Sequence, residues 1–238
     1  MPGCWMRDPV VSFVIPARDE ARYVARALAS VAAQDWPVAE LEAVVVDNGS
    51  RDGTAQVVEA FAARHPELAV RLVTEPVRGR GRAKNAGVRA ARGLWLVFLD
   101  ADSAASPGLV HAVLRRAQAG FPAGSIRVVA DSQDPLDRGF FALLEFGKQR
   151  FGIRAQMFYC RRDLFERLGG FREDLEIAED LEFLRRVQAA GVSTCHVTEA
   201  HIATSCRRLR ALPLRLGMLH TFCRWALAHV GIGRRWPY

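Results

Sequence analysis

The chain has 238 residues, half of them apolar and a quarter charged, the composition of a folded globular protein able to bury a sizeable core. No charge-free apolar run reaches 18 residues and "MPGCWMRDPV" has no signal-peptide core, so no membrane-spanning helix is expected and cytoplasmic residence is the default. The net charge of +7 is uneven: residues 201–238 hold seven arginines and no acid, which suggests an anionic partner for the tail, whether phosphate, lipid headgroup or nucleic acid.

In chain order, "VVSFVIP" (10–16), "LEAVVVD" (41–47), "VRLVT" (70–74) and "LWLVFLD" (94–100) read as strands rich in β-branched residues. Between them, 21–34, 54–65 and 82–91 carry apolar residues at helical spacing, and 105–120 adds a fourth helix with Ser106 as its cap and Gly120 at its end. Such alternation implies βαβ units, a mainly parallel sheet and an α/β fold. Further on, 125–131 reads as a strand and 138–149 as a helix. "QMFYCRRDLFERLGGF" (156–171) reads as strand, short helix and glycine turn, 178–191 as a helix and 192–197 as a strand. Five scattered cysteines without a CxxC pair argue against a disulfide framework or a structural zinc site. Only two of the 33 basic residues, Lys84 and Lys148, are lysines, a bias that reads as compositional.

Parallel sheets bind ligands at the carboxyl ends of their strands. The segments there are "ARDE" (17–20), "DNGSRDGT" (47–54), "EPVRGRGRAKN" (75–85) and "DADS" (100–103), which should crowd one edge. The first, second and fourth each supply two carboxylates, and the third brings Arg78, Arg80, Arg82 and Lys84 among glycines, a pocket suited to a phosphorylated ligand with a metal ion. Thirteen aspartates produce about 0.7 DxD patterns by chance, so the spacing of Asp100 and Asp102 carries little by itself. Their place at the end of the most apolar strand carries more, and hard oxygen ligands with no soft partner suit Mg²⁺ or Mn²⁺. Asp52 reads as a cap for the helix near Thr54, whereas Asp47 ends a strand at the ligand edge, where a carboxylate can accept from a nucleobase N–H. Glu179 and Asp180 open a helix. That is an ordinary acidic first turn or, since neighbouring helical residues point about 100° apart, one general base facing the pocket.

The ordered set "VSFVIPARDEARYVARALASV", "VVVDNGSRDGT", "GRGRAKNAGVRAARG", "FLDADS", "GGF" and the "ED" of "AEDLEF" resembles family 2-type glycosyltransferases of the GT-A fold over roughly residues 10–210. The resemblance implies a Rossmann-like βαβ sandwich and an inverting transferase using a nucleotide-diphospho-sugar with Mn²⁺ or Mg²⁺. It implies that Pro16, Ala17, Arg18 and Glu20 line the nucleotide pocket and that Asp47 reads the base. It also implies that Asp100, beside Ala101, sits near the ribose, that Asp102 ligates the metal on the diphosphate, and that Asp180 is the base. Arg80 and Lys84 join the donor-binding set, and Glu179 is grouped with Asp180 as catalytic. One domain over 1–206 is expected, with a nucleotide-sugar half at about 8–103, an acceptor half at about 104–206 and a basic extension at 207–238.

Departures from the family pattern are visible. Asp19 stands where Asn is common, and Thr204 and Ser205 occupy the place of a frequent histidine ligand, with His196 and His201 out of register. "SCRRLR" follows, so Arg207 or Arg208 is expected to grip the diphosphate. The processive signature QxxRW is absent, which points to single transfers. Residues 212–238 fit either an amphipathic helix at a membrane interface or a helix docked on the domain, giving possible peripheral membrane contact. Residues 138–154 are the expected acceptor-facing segment, and the acceptor is a small molecule, glycan or lipid-linked group. A nucleotidyltransferase should open with a glycine-rich loop, which "IPARDE" lacks, and "GRGRAK" breaks the GxGxxG of a dinucleotide-binding oxidoreductase. A non-enzymatic anion or nucleic-acid binder would leave the carboxylates unexplained, so no nucleic-acid partner is expected.

Overall fold

Val11–Ala17 forms β1, the strand on which the sheet is built. It pairs in parallel with β2 (Leu41–Asp47) on one side and β4 (Trp95–Phe98) on the other, and β3 (Ala69–Thr74) continues the parallel set beyond β2. The computed structural model describes residues 9–151, 157–175, 178–207, 209–210, 216–218 and 223.

Alternation along these strands sorts the helices into layers. Phe13, Ile15, Ala43 and Val45 face α1 (Val24–Ala32) and α2 (Thr54–Arg64), with Leu28, Val31, Val58 and Phe61 in the same core. Val14, Val44 and Val46 point the other way, where α3 (Arg80–Ala90) packs. Burial on both faces explains why the strands read as continuous apolar runs rather than alternating ones.

The full sheet has eight strands in the order β3-β2-β1-β4-β7-β6-β8-β5. Its far half contains β5 (Ser103–Ala105), β6 (Ala123–Ala130), β7 (Phe158–Arg161) and β8 (Thr194–Thr204). Strands β5 and β7 run antiparallel to their neighbours, while β6 and β8 are parallel with a register shift between Ile126 and Arg127. The sheet is therefore mixed but mostly parallel, and the α/β expectation holds. The other helices are α4 (Leu109–Gln118), α5 (Pro135–Phe151), α6 (Arg162–Arg167) and α7 (Glu179–Ala189).

Three local expectations change. The strand expected over 94–100 ends at Phe98, although the Leu99 N–H still donates to Val14 O at 3.1 Å, which leaves Asp100 as the first residue off the ladder. Ser106 does not cap α4 with its side chain; its Oγ instead accepts the His201 N–H at 3.0 Å, tying α4's entrance to β8. The strand expected at 192–197 runs on to Thr204, because its second half pairs with both β6 and the short β5. The helical extension expected over 212–238 lies outside the described residues except 216–218, which are helical, and 223. Among the described residues no helix is long and apolar enough to cross a membrane.

Gly87 lets α3 lie flat on the sheet: a Cβ there would sit 2.5 Å from Val14 Cγ1 and 3.0 Å from Val46 Cγ2. Overpacking of this kind costs about 1–3 kcal/mol. Gly87→Ala should lower the unfolding free energy by that amount, read as a lower urea midpoint with the slope of the transition unchanged.

Candidate active site

The four polar segments that follow β1 to β4 meet at one edge of the sheet around a cavity of about 200 Å³. Pro16, Ala17, Arg18 and Glu20 line it from β1, Asn48 from β2, Arg78, Gly79, Arg80 and Ala83 from the entrance of α3, and Asp100, Ala101 and Asp102 from β4.

Hydrogen bonds hold these loops to one another. Asp19 adopts φ 53°, a left-handed conformation that Asp and Asn tolerate best among non-glycine residues. From there its N–H donates to Ser50 Oγ at 3.0 Å and its Oδ1 accepts the Arg51 N–H at 2.8 Å. Asp19 thus serves the neighbouring loop and is not among the residues that line the cavity. Asp52 Oδ1 accepts the Thr54 N–H at 3.1 Å, as a cap should, and its Oδ2 also takes the Ala21 N–H at 2.9 Å. Desolvation of this exposed carboxyl works against its charge, but the bonds from Thr54 and Ala21 outweigh it and hold the group below the usual range. Asp47 ends β2 but is turned to the Ser50 N–H, which it accepts at 2.9 Å, and the cavity wall passes to Asn48. Asn48 is a residue the sequence reading missed. Its amide donates to Glu75 O and Val77 O at 2.7 and 2.8 Å, and its Oδ1 accepts the Gly79 N–H at 3.0 Å, so one side chain shapes the basic loop.

Asp102 is buried, and its carboxylate lies 3.1 Å from Arg207 Nη2. The same guanidinium pairs with Glu20 and stacks over the Tyr23 ring at 4.6 Å. Burial works against the Arg207 charge, but Glu20 and Asp102 outweigh it and raise its pKa. The turn carrying Arg207 is anchored by buried Cys206 and Leu209 and by the ion pair of Arg210 with buried Asp137 on α5. Arg208 lies outside the described residues. Arg26 adds a bond from its guanidinium to Asp102 O at 3.2 Å.

Across the cavity mouth, α3 and α7 are joined through the glycine turn. Asn85 Oδ1 accepts the Phe171 N–H and its amide donates to Phe171 O, both at 3.0 Å. Gly170 has φ 66° there, and a Cβ would come 2.8 Å from Asn85 Oδ1, which is why "GGF" and "AKN" act as one unit. This docking brings Lys84 Nζ to 2.6 Å from Glu179 Oε1 and 5.2 Å from the Phe171 ring. Burial raises the Glu179 pKa, but Lys84 and Arg80 together pull it below its ordinary value; burial lowers that of Lys84, but Glu179, Asp180 and Asp100 raise it overall. Lys84 and Glu179 are therefore a buried ion pair beside the cavity and not part of its lining. Asp180, the next residue, is half-buried and follows Ala178, whose φ of 60° fixes where α7 begins.

No group of three His, Cys, Asp or Glu side chains is placed to hold a metal among the described residues. His196 is engaged elsewhere, 2.9 Å from Glu145 and 2.8 Å from Ser125. The donor set at Asp102, a buried hard carboxylate already paired with a cation, suits a divalent ion shared with substrate phosphates rather than one caged by protein. Lys84→Met should cost about 3–5 kcal/mol by stranding Glu179, and Lys84→Met/Glu179→Leu should recover most of it in thermal or urea unfolding.

Comparison with known proteins places the chain in a family. The family described as glycosyl transferase family 2 matches residues 12–172. The glycosyltransferase AglE of Haloferax volcanii is 28% identical over 214 residues, covering 85% of this chain and 68% of AglE. Among solved structures, the mannosyltransferase PcManGT from Pyrobaculum calidifontis, in complex with GDP-Man and Mn²⁺, superposes with a TM-score of 0.67 at 27% identity over 92% of this chain. TarS 1–349 of S. aureus with UDP gives 0.65 at 21% over 82%. The chain spans 65% and 60% of those two solved chains.

Proposed function

The chain belongs to glycosyl transferase family 2 and has the GT-A fold, and on that premise we propose that it is an inverting transferase moving one sugar from a nucleotide-diphospho-sugar to a hydroxyl or lipid-phosphate acceptor. The observation that carries this reading is the cavity in which Asp100 and Asp102 meet Arg78 and Arg80 at the carboxyl ends of parallel strands. UDP and GDP-Man are bound by the two structural neighbours, which makes a nucleoside diphosphate the natural occupant.

In this reading Pro16, Ala17, Arg18 and Glu20 hold the nucleoside, and Asp47, with one oxygen fixed by Ser50, accepts from the base. Asp100 takes the ribose, and small Ala101 lets the chain approach it. Asp102 holds Mn²⁺ or Mg²⁺, which when bound neutralises charge on the diphosphate as the glycosidic bond to phosphate breaks. Arg207 leaves the Glu20–Asp102 pair to grip the diphosphate, joined by Arg80 and by Arg208, which lies outside the described residues. Asp180 accepts the acceptor's hydroxyl proton as that oxygen bonds to the sugar carbon from the face opposite the departing diphosphate. Glu179 acts through Lys84 and does not touch the substrate. The basic tail supplies possible peripheral membrane contact, a role that suits a lipid-linked acceptor.

Donor turnover should require Mn²⁺ or Mg²⁺ and fall at least about 100-fold in Asp102→Ala; full activity in excess chelator would refute the metal role. Asp180→Asn should lower kcat by about 10²–10⁴ for a hydroxyl acceptor while donor binding persists. With an ionised lipid phosphate, already nucleophilic, the same substitution should be mild, and acceptor-by-variant kinetics separate the two cases.

A further inference from the structure

A helix at a water surface turns its apolar stripe to the core and its charges outward. Helix α5 (Pro135–Phe151) departs from that pattern on both sides. Beside Phe141 and Leu144, three charged side chains face inward: Asp137 and Lys148 at 0% exposure and Glu145 at 6%. Each is held in a pair, Asp137 by Arg210, and Glu145 by Lys148 Nζ at 2.6 Å and His196 Nε2 at 2.9 Å. Charges are seldom buried without such partners. Outward stand Leu136, Leu143 and Phe146, at 64, 63 and 65% exposure, three of the six most exposed large apolar side chains among the described residues. At about 100° per residue they fall within roughly 80° of one another on the helix. Gly139 and Ala142 are exposed among them and leave the three side chains standing proud.

Charge selects what covers this face. Both acids of α5 are turned inward, so its outer side carries no carboxylate of its own, while Arg138 and Arg150 are exposed. The C-terminal segment leaves from the same place. Arg210 pairs with Asp137 in the first turn of α5 and donates to Ser132 Oγ at 2.7 Å. Beyond it, Leu216 is another of the six exposed side chains, while Met218 packs toward the core. Residues 211–238 then add Arg215, Arg224, Arg234 and Arg235 with no acid. A second copy meeting this face across a two-fold axis would set arginine against arginine. An anionic surface with an apolar interior suits both the leucines and the arginines.

We propose that the outer face of α5 is a membrane-docking surface, on which Leu136, Leu143 and Phe146 enter the headgroup–acyl boundary of an anionic bilayer while Arg138 and Arg150 meet lipid phosphates. The helix lies in the plane of the interface, since no described helix is long and apolar enough to cross a membrane. One turn joins this surface to the cavity: Arg210 reaches back to α5, and Arg207, three residues earlier, lies 3.1 Å from Asp102. Such proximity suits the lipid-linked acceptor of the proposed function. The docking itself stands whatever chemistry the cavity performs.

Co-sedimentation of the full chain with vesicles tests this in the absence of donor and acceptor, so a failed transferase reading leaves the result intact. The vesicles are phosphatidylcholine alone, or phosphatidylcholine with about one third phosphatidylglycerol. Wild-type protein should partition onto the mixed vesicles at least about tenfold better than onto the neutral ones. Leu136→Ser/Leu143→Ser/Phe146→Ser should lose at least about tenfold of that binding with its thermal transition unchanged. Arg138→Gln/Arg150→Gln should lose about fivefold per charge. Absence of wild-type binding, or undiminished binding by either variant, overturns the proposal. So does a wild-type dimer that the serine substitutions turn into a monomer on size exclusion, which assigns the face to a second copy. Should the serine variant unfold, hydrogen exchange of the wild type decides: the amides of 135–151 should exchange more slowly on the mixed vesicles, and unchanged exchange there with vesicles bound overturns the docking face.

Discussion

Carboxylates brought together at one edge of a sheet repel one another, and the architecture of this site follows from how that repulsion is offset. Glu20 and Asp102 are both buried, and one guanidinium, Arg207, lies against both. Glu179 is buried as well, and Lys84 meets it. Uncompensated charge in such surroundings costs several kcal/mol, so each acid arrives with a cation delivered by a different part of the chain. The β8–α5 side supplies Arg207 through a turn anchored on Asp137, and α3 supplies Lys84 through a helix bolted to the glycine turn. On the proposed function, an incoming diphosphate would reverse the local balance. In the proposed reaction Arg207 becomes available to phosphate, and a divalent ion takes its place on Asp102.

The fold was legible where the chain obeys simple periodicity. Four apolar runs, each followed by polar turn residues and a helical pattern, specified the parallel half of the sheet and the edge at which its loops converge, and Arg78, Arg80, Asp100 and Asp102 do meet there. The far half was less legible because β5 is only three residues long and β8 contains a register irregularity, features set by tertiary pairing rather than by pattern. The expectation that Glu179 and Asp180 would differ in orientation follows from helical geometry, but the partner that claims Glu179 lies 95 residues away, beyond any local signal.

Side chains that organise backbone were harder to read than side chains that carry charge. Asn48 and Asn85 each satisfy several main-chain groups and so set the shape of the basic loop and the docking of α3 on the glycine turn. Asparagine after a strand or inside a helix announces neither role. Lysine usage was visible in the composition but had no meaning until burial showed that both lysines are internal. The strained Ala178 likewise has no sequence signature, yet its left-handed conformation starts α7 at the point where Glu179 can reach Lys84.

The claim at the centre of this account is that Asp102 shares a divalent cation with a nucleoside diphosphate. Titrating Mn²⁺ into the protein with and without UDP or GDP, with free Mn²⁺ followed by electron paramagnetic resonance, measures this without any acceptor. The account predicts weak binding to the protein alone, tight binding once one of the nucleotides is present, and loss of the tight site in Asp102→Ala. Tight binding that needs no nucleotide, or that survives removal of the Asp102 carboxylate, would contradict it.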